Sequence, residues 1–263
     1  IYLSPYQKRI GPDPASINAA RIGGIISNNS SGMVCGVKHN AYHTMKHIRF
    51  MLTNGHVYDT SNPDDYNRFI ESESALSKGL LSCKLEIESQ NKLVNRIRHK
   101  YRIKNTLGYS LNAFIDYENP LDIFAHLIIG SEGTLAFFSN VVLNTIDDPP
   151  LKSTGLALFD SVDASVAALP VLVDEGADAI EMLDDASLRT GRYLEEPPYD
   201  PNKIPDKSTI RPLFINLLVC PLEGLALLAI ALPVLTINQP CQRLKSSKIK
   251  DIVVSDRPGA KPS

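Results

Sequence analysis

The strongest constraint on the fold of this chain is a pair of glycine-bearing segments that lie far apart in the sequence. The first runs from Ile22-Gly23-Gly24 to Asn28-Asn29-Ser30-Ser31-Gly32, and the second is Gly130-Ser131-Glu132-Gly133-Thr134-Leu135. Paired glycines at the entry to a helix let the backbone approach a bulky ligand and point free N–H groups at it. Short Asn and Ser side chains add the donors that a pyrophosphate or a ribityl chain requires. A plain surface turn explains the first segment equally well, and a glycine bulge between two elements explains the second.

Composition and charge narrow the class of protein. The chain has 263 residues, of which 43% are hydrophobic and 21% are charged, as in a soluble globular protein with one large or two modest domains. Its net charge of -2 gives no electrostatic reason to expect nucleic acid as a partner. The four cysteines, Cys35, Cys83, Cys220 and Cys241, form no CxxC pair, which argues against a zinc or iron–sulfur cradle and favours a reducing compartment. We therefore expect a cytoplasmic protein, with peripheral attachment to a membrane as the alternative.

One apolar run, residues 212–237, is long enough to raise the question of a transmembrane segment. Pro221 and Pro233 interrupt this run, and Glu223 lies inside it. A strand and a helix of a soluble domain are therefore predicted in preference to a membrane span.

In the first half of the chain, hydrophobic periodicity and turn residues predict several elements. Residues 48–58 alternate as two strands around Asn54-Gly55, which predicts a hairpin with a two-residue turn. Ser61-Asn62-Pro63-Asp64-Asp65 predicts a helix start, with caps, an N1 proline and acids in the first turn. Residues 86–101 predict one helix whose basic end is a solvated face rather than a nucleic-acid patch, and residues 135–146 predict a strand.

Asp147-Asp148-Pro149-Pro150 is the predicted boundary between two domains, because two prolines after two acids suit a linker. Beyond it, strands are predicted at residues 155–159 and 179–183, and helices at residues 162–174 and 184–193. This alternation favours an α+β layer with helices on one face. Residues 245–263 are predicted to be a polar, disordered tail.

Together, the two glycine-bearing segments resemble the FAD-linked oxidase family, whose flavin domain is of the vanillyl-alcohol-oxidase and p-cresol-methylhydroxylase (PCMH) type. Its members carry a proline–aspartate loop, an IGG turn, an N-x-x-S/G-G segment and, later, GSEGTLG. The second segment here gives GSEGTL in full, with Ala136 where the final glycine is usual, and the likeness runs over residues 12–146 and more loosely to residue 193. We expect the two segments to fold together around one dinucleotide.

Within that family, the chain resembles the D-lactate and D-2-hydroxyglutarate dehydrogenase branch, and particularly the large bacterial members that add an iron–sulfur domain. The supporting segments are Lys38-His39-Asn40, Lys104-Asn105-Thr106-Leu107-Gly108-Tyr109 and Gly176-Ala177-Asp178-Ala179-Ile180-Glu181. The resemblance implies an α+β fold: the second half of a PCMH-type FAD-binding domain in residues 1–148, the beginning of a ferredoxin-like-type substrate (cap) domain in residues 149–220, and a divergent, partly disordered tail in residues 221–263.

The resemblance also implies which residues form the site. Those expected to line FAD are Ser16, Ile22, Gly23, Gly24, Asn28, Asn29, Ser30, Ser31 and Gly32 on one side, and Glu132, Gly133, Thr134 and Leu135 on the other. Relatives that oxidise D-2-hydroxyglutarate use an R-x-D-N-T-G-Y segment to bind the substrate carboxylate; its nearest counterparts are Arg102 and Thr106, with Leu107 as an extra residue. An Arg suits that task because its planar fork pairs both carboxylate oxygens, and a solvated helix end is the alternative for Arg102.

Three histidines, His39, His43 and His47, recur every four residues and could share one helical face as a metal site. The counterpart segment in the family is a turn followed by a short helix, so contacts with solvent or flavin are predicted, and no metal site. No catalytic base is assigned, because sequence order identifies no Ser/His/Asp or Cys/His constellation.

The implied activity is that of an FAD-dependent oxidoreductase acting on CH–OH groups. A D-2-hydroxy acid, D-2-hydroxyglutarate or D-lactate, would be oxidised to the 2-oxo acid by hydride transfer from C2 to flavin N5, and an unidentified acceptor would take the electrons. An iron–sulfur cluster is expected only in longer relatives. Because the family's R-G-x-G-T phosphate loop has no counterpart here, we expect a fragment that binds FAD weakly. The alternatives are an inactive remnant and a related FAD enzyme, such as a polyol oxidase or an ether-lipid synthase.

Overall fold

The computed structural model describes residues 2–32, 34–148, 154–159, 162–174, 177, 179–182, 184, 190, 193, 211–215 and 249–255. The chain divides into two compact units, Ile1–Asp147 and Asp148–Ser263. The helices of the first unit are α1 (Ile22–Ser27), α2 (Ala41–Thr44), α3 (Asp64–Ser72), α4 (Ser74–Glu88), α5 (Asn91–Lys100), α6 (Ala113–Asp116) and α7 (Pro120–Ile128). Its strands are β1 (Lys8–Ile10), β2 (Met45–Met51), β3 (Val57–Asp59), β4 (Phe137–Leu143) and β5 (Thr145–Asp147).

Two antiparallel sheets organise the first unit. In the larger one the strand order is β3-β2-β4, so the central strand β2 pairs with a neighbour in sequence and with one almost at the end of the unit. In the smaller one β1 pairs with β5, with Arg9 opposite Ile146. Both sheets therefore join the beginning of the unit to its end.

The core of the first unit lies between β2, β3 and the helices α3 and α7. Phe50 and Tyr58 point inward from neighbouring strands, with 1% and 0% of their surface exposed. Phe124 lies 5.4 Å from Phe50 between ring centroids, and Phe69 lies 5.0 Å from Tyr58 in an edge-on contact. Helix α7 is buried on nearly every side, which fixes where the segment after it emerges.

The predicted hairpin is present, but its two-residue turn is wrong. Strands β2 and β3 pair up to Met51 and Val57, and the Leu52 amide donates to the His56 carbonyl at 2.9 Å. Three residues therefore form the loop. A two-residue type I′ turn needs positive φ at both central positions, whereas here Gly55 has φ 87° and Asn54 has no positive φ.

The helix start predicted over residues 61–65 is confirmed, since α3 begins at Asp64, but Pro63 is the N-cap residue and not the first residue of the helix. The Asn62 side chain accepts from the Asp64 amide at 3.2 Å. The single helix predicted over residues 86–101 is wrong, because α4 ends at Glu88 and α5 begins at Asn91. Ser89 and Gln90 both donate through their side chains to the Glu86 carbonyl, and such bonds compete with the helical ladder.

The second unit contains a sheet and a helix among its described residues. Strand β6 (Thr154–Phe159) is central and pairs antiparallel with β7 (Arg211–Ile215) and β8 (Ile249–Ser255), and α8 spans Val162–Asp174. The predictions of β6 and α8 are confirmed. The strand predicted over residues 179–183 is absent from its described part, 179–182, and nearly all of the helix predicted over 184–193 lies outside the described residues.

The disordered tail predicted for residues 245–263 is wrong for β8, which pairs along the whole of β6. Polar composition concealed this strand, because Ile249, Ile252, Val253 and Val254 lie among charged residues. No helix in the part of the chain that the structure describes is both long and apolar enough to cross a membrane. Of the apolar run at 212–237, only the part within β7 lies inside the described residues.

Candidate functional site

The first glycine-bearing segment is held in place by one carboxylate. Asp13 accepts hydrogen bonds from three backbone amides that follow α1: from Gly32 at 3.0 Å, from Val34 at 3.2 Å and from Cys35 at 3.1 Å. A Cβ added to Gly32 would lie 1.7 Å from the Asp13 carbonyl oxygen, so only glycine fits there. Residues 11–36, here called the clamped segment, therefore form a loop closed by a carboxylate.

Within the clamped segment, the start of α1 faces open space. A Cβ built on Gly23 or on Gly24 meets nothing within 4 Å, and Ile22 is 54% exposed. The amides in the first turn of a helix have no partner inside the helix. In α1 the amide of Ile25, the fourth residue, donates to the Arg21 carbonyl at 3.0 Å. Ser16 lies in the exposed turn before the helix, where its carbonyl accepts from the Ala20 amide at 2.8 Å.

The second glycine-bearing segment contacts the clamped segment directly. Residues 130–134, here called the GSEGT turn, follow α7. The Glu132 amide donates to the Ser27 carbonyl at 2.9 Å, and the Gly130 amide donates to the Ile26 carbonyl at 3.2 Å. The Asn28 side-chain amide donates to the Glu132 carboxylate at 2.5 Å. The expectation that the two segments fold together is confirmed.

The GSEGT turn adopts a conformation that requires its glycines. Gly130 and Gly133 have φ of 87° and 74°, and Glu132 between them has φ of 53°, which is rare for a residue with a side chain. The Thr134 hydroxyl donates to the Ser131 carbonyl at 2.6 Å and lies 2.9 Å from the Tyr109 hydroxyl. The turn is therefore fixed from two sides, by α1 and by the loop that carries Tyr109.

The remaining predicted flavin contacts differ in how far they are buried. Asn29 is 6% exposed, and its side chain accepts from the Tyr42 amide at 3.2 Å, so this side chain supports the loop from within. The Ser30 hydroxyl donates to the Asn28 side chain at 2.9 Å. Leu135 is half-buried against the core.

Two buried hydroxyls near the contact between the segments lack a protein partner. Ser31 is 8% exposed and Ser131 is 3% exposed, and neither Oγ has a hydrogen-bond partner among the described residues. A buried polar atom without a partner costs about 1–3 kcal/mol, so such atoms favour a polar ligand or water nearby. Two features of this region therefore suit a polar ligand: buried hydroxyls without a partner among the described residues at Ser31 and Ser131, and open backbone at Gly23 and Gly24.

The predicted substrate residues lie on the loop that leads to Tyr109. Arg102 is exposed, and Thr106 is half-buried. Between them, Lys104 donates to the Ser31 carbonyl at 3.1 Å, which ties this loop to the clamped segment. Arg102 and Thr106 therefore lie on a loop that contacts the clamped segment. Their contact with a substrate stays a prediction.

A buried aromatic and histidine cluster lies behind the clamped segment. The His126 ring stacks on Tyr117 at 3.8 Å between centroids and contacts Tyr42 edge-on. Burial lowers the pKa of His126 to about 4, so the ring is neutral near pH 7. The Tyr42 hydroxyl donates to Asp116 at 2.8 Å, and burial, followed by that carboxylate, raises its pKa. Tyr42 and His126 are thus buried within this cluster, while Asp116 is its exposed member.

The three histidines at four-residue spacing do not share a helix. Helix α2 ends at Thr44, so His43 lies on α2 while His47 lies on β2. His43 Nδ1 lies 2.9 Å from the Asn40 side-chain oxygen. Within the described part of the chain, no group of three His, Cys, Asp or Glu side chains is arranged to hold a metal ion.

Comparison with known sequences identifies the first part of the chain. Residues 1–61, which contain the whole clamped segment, match a protein family described as FAD binding domain. These residues are therefore similar to an FAD-binding domain. The GSEGT turn lies outside the matched residues and contacts them through its hydrogen bonds to Ser27 and Asn28.

Similar proteins agree with that assignment. The chain is 26% identical over 197 residues to D-2-hydroxyglutarate dehydrogenase of Haemophilus influenzae and 25% identical over 195 residues to that of Escherichia coli. Each match covers 73% of this chain and 19% of the relative, so the chain spans about a fifth of the length of the curated relatives it matches. The resemblance to the FAD-linked dehydrogenase branch, expected from the glycine-bearing segments, is confirmed.

Solved structures agree on the fold. Two structures of alkyldihydroxyacetonephosphate synthase superpose with TM-scores of 0.56 and 0.52, at 14% identity. The matches cover 89% and 87% of this chain, and 36% and 34% of those chains. The expected α+β fold of the PCMH type is confirmed, while FAD binding and the boundaries of the individual domains remain predictions.

Sequence reasoning missed several residues that build this site. Asp13 carries no prediction of its own, although it closes the clamped segment. Ser131, Lys104 and Tyr109 were noted only within motifs, although the first is buried without a partner and the others tie the segments together. The spacing of Asp13 and Gly32 gave no local signal, because the hydrogen bond between them spans an intervening helix.

Proposed function

We propose that this chain is part of an FAD-dependent dehydrogenase that oxidises a D-2-hydroxy acid, either D-2-hydroxyglutarate or D-lactate, to the 2-oxo acid. The observation that carries the proposal is the direct contact between the FAD-binding domain and the GSEGT turn through Ser27, Asn28 and Glu132. The similar proteins named as D-2-hydroxyglutarate dehydrogenases support the choice of reaction.

Two surfaces of the described residues would hold the cofactor. On one side, the open backbone at Gly23 and Gly24 accepts close approach, and the Ser16 turn, Asn28 and Ser30 supply polar groups. On the other side, the exposed Glu132, Gly133 and Thr134 form the facing wall. The buried Asn29 and Ser31 and the half-buried Gly32 and Leu135 would shape these walls, with the Ser31 hydroxyl, which has no partner among the described residues, available to a polar ligand atom.

The protein residues would bind and orient, and the cofactor would carry the electrons. When bound, FAD supplies the redox chemistry by accepting hydride from C2 of the hydroxy acid at flavin N5. Arg102 would pair the substrate carboxylate through its two-pronged guanidinium, and Thr106 would donate from its hydroxyl. The fixed GSEGT turn would hold one wall rigid, so that the substrate meets the flavin in one orientation. A cytoplasmic location and a separate electron acceptor complete the proposal.

Titration of the chain with FAD tests cofactor binding. Gly24→Leu places a side chain in the open space at the start of α1 and should weaken FAD affinity at least tenfold, measured by quenching of flavin fluorescence. Gly79→Leu is the matched control, because Gly79 also lies in a helix with nothing within 4 Å of its Cβ position, and it should leave affinity unchanged. Equal affinity of both variants, or no FAD binding by the unaltered chain, would overturn the proposal.

Anaerobic reduction of the bound flavin tests the reaction. With FAD bound, D-2-hydroxyglutarate or D-lactate should bleach flavin absorbance, whereas a polyol such as xylitol should not. Arg102→Gln should slow bleaching at low substrate more than at high substrate, because it removes a binding group. Faster reduction by the polyol would favour the alternative of a polyol oxidase, and no reduction by any donor would favour a remnant that binds flavin without turnover.

A further inference from the structure

A cavity lies beside the last two turns of α5, outside the proposed flavin walls. Its volume is about 350 Å³, within the range typical of small-molecule sites. Leu93, Ile97, Tyr101, Tyr109 and Leu111 form its apolar and aromatic lining. Arg102 and Thr106 are not among its lining residues, although their neighbours Tyr101, Asn105 and Leu107 are.

Two cationic side chains, Arg96 and Lys100, also line this cavity. They are four residues apart on α5 and therefore lie on the same face of the helix. Both are exposed, and none of the ion pairs formed between described residues includes either one. Basic residues in the last turn stabilise a helix by their interaction with its dipole. That interaction does not account for the cavity beside Arg96 and Lys100.

The aromatic wall of the cavity is held rigid. The Tyr101 hydroxyl donates to the Tyr109 carbonyl and accepts from the Leu111 amide, both at 3.0 Å. Ile97, only 4% exposed, anchors α5 to the unit at the floor of the cavity. A preformed wall with fixed side chains lowers the entropy that a ligand must overcome on binding.

We propose that this cavity binds a small carboxylic acid with an apolar carbon chain, with Arg96 and Lys100 at the carboxylate end. Guanidinium and ammonium groups are the natural partners of carboxylates, and the aromatic and aliphatic lining suits the carbon chain. One lining residue, Tyr109, also contacts the GSEGT turn, because its hydroxyl lies 2.9 Å from that of Thr134. Binding here does not require flavin, so the site goes beyond the proposed function and stands or falls independently of it.

Isothermal titration of the FAD-free chain tests the proposal with glutarate, butyrate and inorganic phosphate as probes. Both carboxylic acids should bind, and phosphate should bind at least tenfold more weakly because it has no apolar body. The double variant Arg96→Gln/Lys100→Gln should weaken glutarate binding about a hundredfold, at about tenfold for each charge-assisted contact. Tighter binding of phosphate than of either acid would overturn the choice of ligand class.

The matched control is Lys92→Gln/Arg98→Gln, which removes the same charge from the same helix at positions that do not line the cavity. It should bind glutarate as the unaltered chain does. Leu107→Trp, at an 82% exposed residue of the lining, should weaken binding by filling the space without changing the charge. Absence of glutarate binding by the unaltered chain, or equal losses in the two double variants, would sink the proposal.

Discussion

The clamped segment and the GSEGT turn both depend on glycine, but for different physical reasons. In the clamped segment, Gly32 is required because there is no space, since an added Cβ would meet the Asp13 carbonyl. In the GSEGT turn, Gly133 is required because its φ is 74°, although a Cβ there would meet nothing within 4 Å. Gly24, on α1, is constrained in neither way. Glycine therefore occurs in three different situations within this site: where packing is tight, where φ is positive, and where the space beside the backbone is open.

The largest expected effect is that of Gly32→Ala. The added methyl group must displace backbone, and we expect a loss of about 3 kcal/mol or more in the free energy of unfolding, measured by urea denaturation. Gly24→Ala is the control, since the same methyl group in open helical space should raise stability by about 0.5–1 kcal/mol. Equal effects at the two positions would erase the distinction between packing and open space.

Acid should act on the GSEGT turn through α7, which carries His126 and leads directly into it. The folded pKa of His126 is lowered to about 4 from 6.5, because burial disfavours the charged ring. Folding favours the neutral ring, so His126 contributes its full share of the free energy of unfolding above pH 6.5. That share is lost as the pH falls towards 4, at about 1.4 kcal/mol per pH unit and about 3 kcal/mol in all. Urea unfolding at pH 7 and at pH 4.5 measures the loss.

His126→Phe keeps an aromatic ring on Tyr117 and removes the titrating group. The difference in stability between pH 7 and pH 4.5 should shrink by about 2–3 kcal/mol in this variant. An unchanged difference would show that other groups, and not His126, govern the response to acid.

Asp13→Asn tests whether the clamped segment depends on its carboxylate. The substitution replaces a charged acceptor of three amides, and one of its atoms becomes a donor facing a donor. We expect a loss of about 2 kcal/mol in the free energy of unfolding. Asp147→Asn is the control, because its carboxylate is exposed and its one ion pair among the described residues is with Lys8, so its loss should stay within about 1 kcal/mol. Equal losses would show that the three amide bonds contribute little.

Gly133→Ala should have the smallest effect, at about 1 kcal/mol, since the residue can keep its left-handed conformation at a modest cost. Thermal denaturation of the variant beside Gly79→Ala, a helical position with a negative φ, measures it. The two substitutions should change the melting temperature in opposite directions. A stabilised Gly133→Ala variant would mean that conformation does not explain this glycine.

Elements with local signals could be predicted from the sequence. The alternation in β2, the start of α3 after Asn62-Pro63 and the GSEGT motif each gave a local signal in the sequence. Features that depend on residues distant in sequence could not be predicted. The hydrogen bond between Asp13 and Cys35 spans α1, and β8 is recognisable as a strand only through its pairing with β6. Helix α7 was not among the predicted elements, and its place at the centre of the unit became visible only through the burial of nearly all its residues. In the site, the glycine pattern identified the two segments that meet. It gave no sign that the hydroxyls of Ser31 and Ser131 are buried without a hydrogen-bond partner among the described residues.

Strand β1 lies beside β5, with Lys8 opposite Asp147. The polypeptide therefore enters and leaves the first unit at neighbouring points on its surface. A module with adjacent ends can be spliced into the loop of a host protein without stretching either one. Residues 8–147 are thus suited to insertion into a host protein, with the junctions at the ends of the paired strands β1 and β5.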